Sequence, residues 1–107
     1  MHVLSPDDLA SFRKNGYLIV PAVAPPAILE AVVDAIWQFQ EMDPHDAQTW
    51  YRSSERLNGL PELNGAGMVE MYHHPALWAV RQLPSMYGVF ADLWQTEKLW
   101  VSMDRCN

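Results

Sequence analysis

Cysteine is almost missing from this chain: Cys106 is the only one among 107 residues. One thiol cannot form an intramolecular disulfide or a cysteine-rich zinc site, and the scarcity suits a reducing compartment. Positive charge is also scarce, with 7 Lys and Arg against 13 Asp and Glu and a formal net charge of −6. An acidic surface with no basic stripe repels a phosphate backbone, so nucleic acid is not an expected partner. Long hydrophobic runs are lacking too. Nothing approaches the roughly 18 apolar residues of a membrane helix, and Met1–Asp8 has neither the basic start nor the apolar core of a signal peptide. The expectation is a soluble, cytoplasmic chain with no membrane span.

What is present is apolar material. Half of the residues are hydrophobic and five are tryptophan, too many for a chain that stays disordered. The length suits one small domain over residues 1–107, which would bury roughly two thirds of its unfolded surface.

Helix punctuation is strong at the start. Ser5 is a capping residue, Pro6 suits the first helical position, Asp7 and Asp8 favour the positive end of the dipole, and Gly16 suits a left-handed stop. Tyr17-Leu18-Ile19-Val20 then reads as a short buried strand ended by Pro21. Pro25-Pro26 opens a second helix to about Glu41, with Val32, Ile36 and Trp37 at helical spacing. Asp43-Pro44 breaks it and starts a short helical turn through Trp50 and Tyr51. Residues 52–67 are rich in Ser, Asn, Gly and Pro and read as a loop. Met68–Trp94 reads as interrupted helix, with Pro75 and Pro84 in first turns of helices near 75–82 and 84–94. Lys98–Asp104 reads as a closing strand.

No complete catalytic or metal-binding set can be assembled from these residues. Non-haem iron sites commonly use two histidines and one carboxylate, and jelly-roll oxygenases take the first two ligands from His-x-Asp or His-x-Glu. His2 is followed two residues on by Leu4, His45 by Ala47, His73 by Pro75 and His74 by Ala76, so none qualifies. Adjacent His73 and His74 diverge on a helix or strand and read as residues capping or preceding the helix at Pro75. Asp43-Pro44-His45-Asp46 reads as helix initiation. Asn64-Gly65-Ala66-Gly67 lacks the third glycine of a dinucleotide loop, no Gly-x-Ser-x-Gly elbow occurs, and Cys106 has no activating base beside it. On the closing strand Trp100, Ser102 and Asp104 share a face; if that face points into a barrel, Asp104 lines a pocket.

Three stretches carry a family resemblance. Leu4-Ser5-Pro6-Asp7-Asp8-Leu9 followed by Phe12-Arg13-Lys14-Asn15-Gly16-Tyr17-Leu18-Ile19-Val20-Pro21 resembles the opening of phytanoyl-CoA dioxygenase family proteins. Leu99-Trp100-Val101-Ser102-Met103-Asp104-Arg105-Cys106-Asn107 is similar to the strand leading into that family's catalytic barrel, and Met68–Trp94 is similar to bacterial members. The resemblance covers nearly the whole chain but only the N-terminal part of a typical member.

It implies an α+β fold: the mainly helical N-terminal portion of a double-stranded β-helix (jelly-roll) oxygenase, with the core barrel largely missing. It also implies iron(II), 2-oxoglutarate and hydroxylation of a small or lipid-like substrate. The family's iron ligands and cosubstrate arginine would lie beyond Asn107. No catalytic, cofactor or metal residue is therefore assigned here, and the chain is expected to bind neither group and to be inactive alone. Were the barrel supplied, Ser102, Asp104 and Asn107 would lie near the cavity, and Tyr72, His73 and His74 at its rim. Two alternatives stand beside this reading. One is a standalone helical binding or scaffold module. The other is half of a split oxygenase whose second chain supplies the barrel.

Overall fold

Ser5 and Asp8 start the first helix by reciprocal capping. The Asp8 N–H donates to Ser5 Oγ at 3.1 Å, and the Ser5 N–H donates to Asp8 Oδ2 at 2.9 Å, satisfying donors that a helix start otherwise leaves open. The Ser5 hydroxyl also holds the Asp8 carboxyl below its usual range. Helix α1 runs Pro6–Asn15, with acids in its first turn and Arg13 and Lys14 in its last, in line with its dipole. Gly16 ends it at φ 79°, its N–H donating to the Phe12 carbonyl at 2.8 Å. Only a residue free of a Cβ takes that conformation without strain.

The computed structural model describes residues 3–51 and 69–106. After α1 come α2 (Pro26–Phe39), a 3-10 turn (Ala47–Trp50), α3 (Pro75–Arg81) and α4 (Pro84–Trp94). Prolines occupy the first turns of all four α-helices, where the missing N–H costs nothing. The 3-10 turn is capped by Asp46, which accepts the Gln48 N–H at 3.0 Å, while Asp43 takes the N–H of His45. Trp50 folds back onto Trp37 with ring centroids 5.7 Å apart, and its indole donates to the Asp43 carbonyl at 2.7 Å. The loop expected over residues 52–67 lies outside the described residues.

Helix α2 packs on α3. Ala35, Val69, Met71 and Leu77 are buried between them, with Val32, Ile36, Phe39, Ala76 and Cys106 against the cluster. Burying a side chain such as Leu77 stabilises by about 1.5–3 kcal/mol. A second contact gathers on α4, where Leu4 and Val89 are buried. The buried carboxylate of Asp92 accepts the N–H of Val3 at 2.6 Å and of Leu4 at 2.9 Å. Ser85 on the same helix donates to the Val23 carbonyl at 2.6 Å, tying the α1–α2 connection to α4.

The expected α+β jelly-roll fold is not what forms. The described residues are helices and connecting segments, with no sheet; the only pairing outside helices is one antiparallel bridge between Val69 and Cys106. Tyr17–Val20 and Trp100–Met103 have β-type sequences, but their main-chain groups have no hydrogen-bond partner among the described residues. A helix closes its bonds locally, whereas a strand depends on a neighbour. Residues 69–72, expected to be helical, are not. Their chain leads through His74, extended at φ −61° and ψ 137°, because a residue before proline is pushed out of the helical region. No described helix is long and apolar enough to cross a membrane.

Candidate functional site

The densest polar geometry lies where residues 69–74 meet residues 104–106. Helix α3 places Arg81 in its last turn. From there the guanidinium Nη1 donates to the Tyr72 carbonyl at 2.6 Å and Nη2 to the Asp104 carbonyl at 2.7 Å. The flat fork also sits 5.1 Å from the ring centre of Trp78. One side chain thus fastens two segments far apart in sequence, and the bridge forms beside it: the Val69 N–H donates to the Cys106 carbonyl at 2.9 Å and the Cys106 N–H returns at 3.2 Å.

Glu70 adds a second fastening. Its Oε1 accepts from Arg105 Nη1 at 2.6 Å, and its Oε2 accepts the Tyr72 hydroxyl. The Tyr72 hydrogen bond first, and the Arg105 hydrogen bond next, hold the Glu70 carboxyl below its ordinary value. The same carboxylate pushes the Tyr72 hydroxyl up and the Arg105 guanidinium up. Burial pushes the Cys106 thiol up, against a weaker opposing pull from Arg81, so this cysteine is less nucleophilic than a free one.

The candidate residues fall on two grooves. Ser102 and Asp104 line one of about 420 Å³, floored by Leu29, Val32 and Val33 of α2 and Leu77 and Val80 of α3. Tyr72, His73 and His74 line another of about 510 Å³ with Gln38, Phe39 and Glu70. Tyr72 and Asp104 are brought together through their carbonyls on Arg81. His74 caps α3, its Nδ1 accepting the Ala76 N–H at 3.1 Å, and His73 stacks on Trp78 with centroids 6.4 Å apart. Asn107 lies outside the described residues.

No protein-family model, no curated protein and no solved structure matches this chain. What the site can do therefore rests on its own donors. Among the described residues no three His, Cys, Asp or Glu side chains are grouped to hold a metal. Several nearby donor atoms are engaged: His74 Nδ1 in its cap, both oxygens of Glu70 with Tyr72 and Arg105, and Asp104 Oδ1 with the Arg105 N–H. These residues do not fit an iron(II) site of two histidines and a carboxylate.

Arg81, Glu70 and Arg105 were not singled out as site residues by sequence reasoning. Arg81 carries no motif, and its partners are carbonyl groups that any residue would supply.

Proposed function

We propose that this chain is the helical, non-catalytic part of an iron(II)- and 2-oxoglutarate-dependent oxygenase, as the phytanoyl-CoA dioxygenase resemblance implies. Its iron ligands and cosubstrate arginine come from outside residues 3–51 and 69–106, in the same polypeptide or in a second chain. Iron and 2-oxoglutarate, held by that other part, would supply the oxidising chemistry for hydroxylating a small or lipid-like substrate. The chain's own contribution is to pack against the iron-binding part. The protein is placed in the cytoplasm, in keeping with its single cysteine.

The observation that supports this reading is the segment Tyr17–Val20. It follows the capped α1 in the phrase that carries the resemblance, and its main chain has no partner among the described residues. Ile19 is 80% exposed, at the edge of a groove of about 370 Å³ that reaches Leu4, Val23 and Ser85. Unpaired backbone beside exposed apolar side chains is a surface suited to being covered.

The test combines the chain with a polypeptide carrying the iron-binding part of such an enzyme. Calorimetry on this chain alone should show no iron(II) binding with 2-oxoglutarate present. Association with the second polypeptide should require Ile19, and Ile19→Asp should abolish it. Succinate formation should need both polypeptides. Stoichiometric iron binding by this chain alone, with His45, His73 and His74 the first ligands to mutate, would overturn the reading; so would failure to associate.

A second reading, a helical scaffold module, is favoured by Trp100, which is 98% exposed. It predicts association through that residue with no dependence on Ile19.

A further inference from the structure

The segment Glu97–Arg105 is antisymmetric in charge about Val101. Reading outward from Val101, Trp100 stands opposite Ser102, Leu99 opposite Met103, Lys98 opposite Asp104 and Glu97 opposite Arg105. Each charged residue is thus matched by one of opposite sign at the same distance on the other side. A segment laid antiparallel on its own copy about a two-fold axis makes these pairings between chains, because such an interface matches one patch to itself.

The segment is also open for pairing. None of the N–H or C=O groups of Trp100, Val101, Ser102 and Met103 has a partner among the described residues. Trp100 is 98% exposed, and Val101 and Met103 are more than half exposed. The ends, by contrast, are tied down. The Lys98 N–H donates to Thr96 Oγ1, the Leu99 N–H to the Glu97 carbonyl, and the Asp104 carbonyl accepts from Arg81. The open stretch is framed by the oppositely charged Lys98 and Asp104.

We propose that Lys98–Asp104 is a self-association edge, on which a second copy of this chain pairs antiparallel about Val101. The free main-chain groups suffice for one such register. Trp100 and Ser102 become hydrogen-bonded pairs, each exchanging two main-chain bonds, and the two Val101 residues become the closer pair with Cα atoms about 4.5 Å apart. This register draws on main-chain groups that have no partner among the described residues. Its next hydrogen-bonded pair outward would be Lys98 with Asp104 of the partner subunit. The Lys98 N–H and the Asp104 carbonyl are already held by Thr96 and Arg81, so the main-chain bonds are confined to Trp100 and Ser102.

Side chains follow from the two-residue period of a strand. One face of the ribbon carries Leu99, Val101 and Met103 from each copy and is wholly apolar. The other places Lys98 against Asp104 of the partner subunit at both ends, with Trp100 lying over Ser102 of the partner subunit. Slipping the register by two residues breaks both ion pairs, so charge fixes the alignment as well as adding to it. The outer pair, Glu97 with Arg105, repeats the opposition, but Arg105 is committed to Glu70 at 2.6 Å in the protomer. The inner pair therefore carries the register. This edge is separate from Tyr17–Val20, so its test on the isolated chain does not involve the Ile19 association, although a barrel supplied by the oxygenase reading would compete for the same segment.

Sedimentation equilibrium over a concentration series, on the intact chain, tests it. The expected result is a monomer–dimer equilibrium from 12.2 kDa to twice that mass, with affinity in the micromolar range because the contact is small. Lys98→Asp sets two carboxylates opposite each other at both ends and should weaken the dimer about tenfold. Adding Asp104→Lys to it restores opposite signs with unchanged net charge and should recover the wild-type affinity. Ser102→Pro removes an N–H that has no partner among the described residues; it should abolish the dimer while leaving the circular dichroism and melting of the monomer unchanged. A chain that stays monomeric throughout, a dimer indifferent to Lys98→Asp, no recovery in the double variant, or a dimer that survives Ser102→Pro would each overturn the proposal.

Discussion

The carboxylate of Asp92 accepts the N–H of Leu4 at 2.9 Å, joining residues 88 positions apart. The same oxygen takes the N–H of Val3 at 2.6 Å, so one buried acid on α4 caps the segment that leads into α1. Asp92→Ala leaves the buried Leu4 N–H without this acceptor, which costs about 1–3 kcal/mol. Asp92→Asn keeps an acceptor oxygen and should cost less. Urea unfolding followed by circular dichroism measures both; equal losses would show that the charged carboxylate itself, and not just an acceptor oxygen, holds the segment, while no loss in either variant would rule the contact out.

Gly88 lies on the same face. A Cβ added there would stand 2.5 Å from Val3 Cγ2, closer than two carbons approach. Alanine at a helical glycine ordinarily gains up to about 1 kcal/mol, but the overlap costs about 1–3 kcal/mol. The net effect of Gly88→Ala is expected to be destabilising. Combining it with Val3→Ala should return stability to at least the Val3→Ala level. A double-mutant cycle in chemical denaturation reads the coupling, and simple additivity would rule out the close contact.

These contacts mark the limit of what was legible in the chain. Ser5, Asp8 and Gly16 announced α1, and Pro75 and Pro84 announced α3 and α4, because caps and prolines act within a turn of where they stand. Strands depend on what lies alongside. Tyr17–Val20 and Trp100–Met103 have the apolar, branched and aromatic side chains of strands, yet find no neighbour in the described fold. The pairing that does form joins Val69 to Cys106, and no local pattern marks either residue. At the candidate site, the role of His74 as a cap could be read from Pro75 beside it. The clasp on Arg81 could not, since its hydrogen bonds go to the carbonyls of Tyr72 and Asp104.

Glu70 should make the stability of this clasp depend on acid. Its carboxyl is held below its ordinary value of 4.5 by the Tyr72 hydroxyl and then by Arg105. A carboxyl with a lowered value in the folded state stabilises fully above its unfolded value and loses that contribution as pH falls through the folded one. The stability difference between wild type and Glu70→Gln should therefore be constant above pH 4.5 and shrink below it. Melting temperatures from neutral pH into the acid range measure this. A difference that persists at the acid end would assign the effect to packing.

Arg81 should prove irreplaceable by lysine. Its two nitrogens reach carbonyls of different segments, Tyr72 at 2.6 Å and Asp104 at 2.7 Å, while its plane faces Trp78. Lysine keeps the charge but ends in one compact ammonium, without the fork or the flat face. It can satisfy one carbonyl well and must leave the other to water. The segment carrying Asp104 then depends on the bridge itself and on the Glu70–Arg105 pair, which is partly exposed and contributes little. Arg81→Lys is thus expected to raise amide exchange at Val69 and Cys106, whose N–H groups form the bridge. The Gly16 amide, held by Phe12 at the end of α1, should keep its protection, because nothing in that cap touches the clasp. Hydrogen exchange read by NMR separates the outcomes. Faster exchange at Val69 and Cys106 alone identifies Arg81 as the staple of the bridge. A uniform rise, Gly16 included, would mean that the substitution destabilises the whole fold, and unchanged exchange would mean that the bridge holds without the fork.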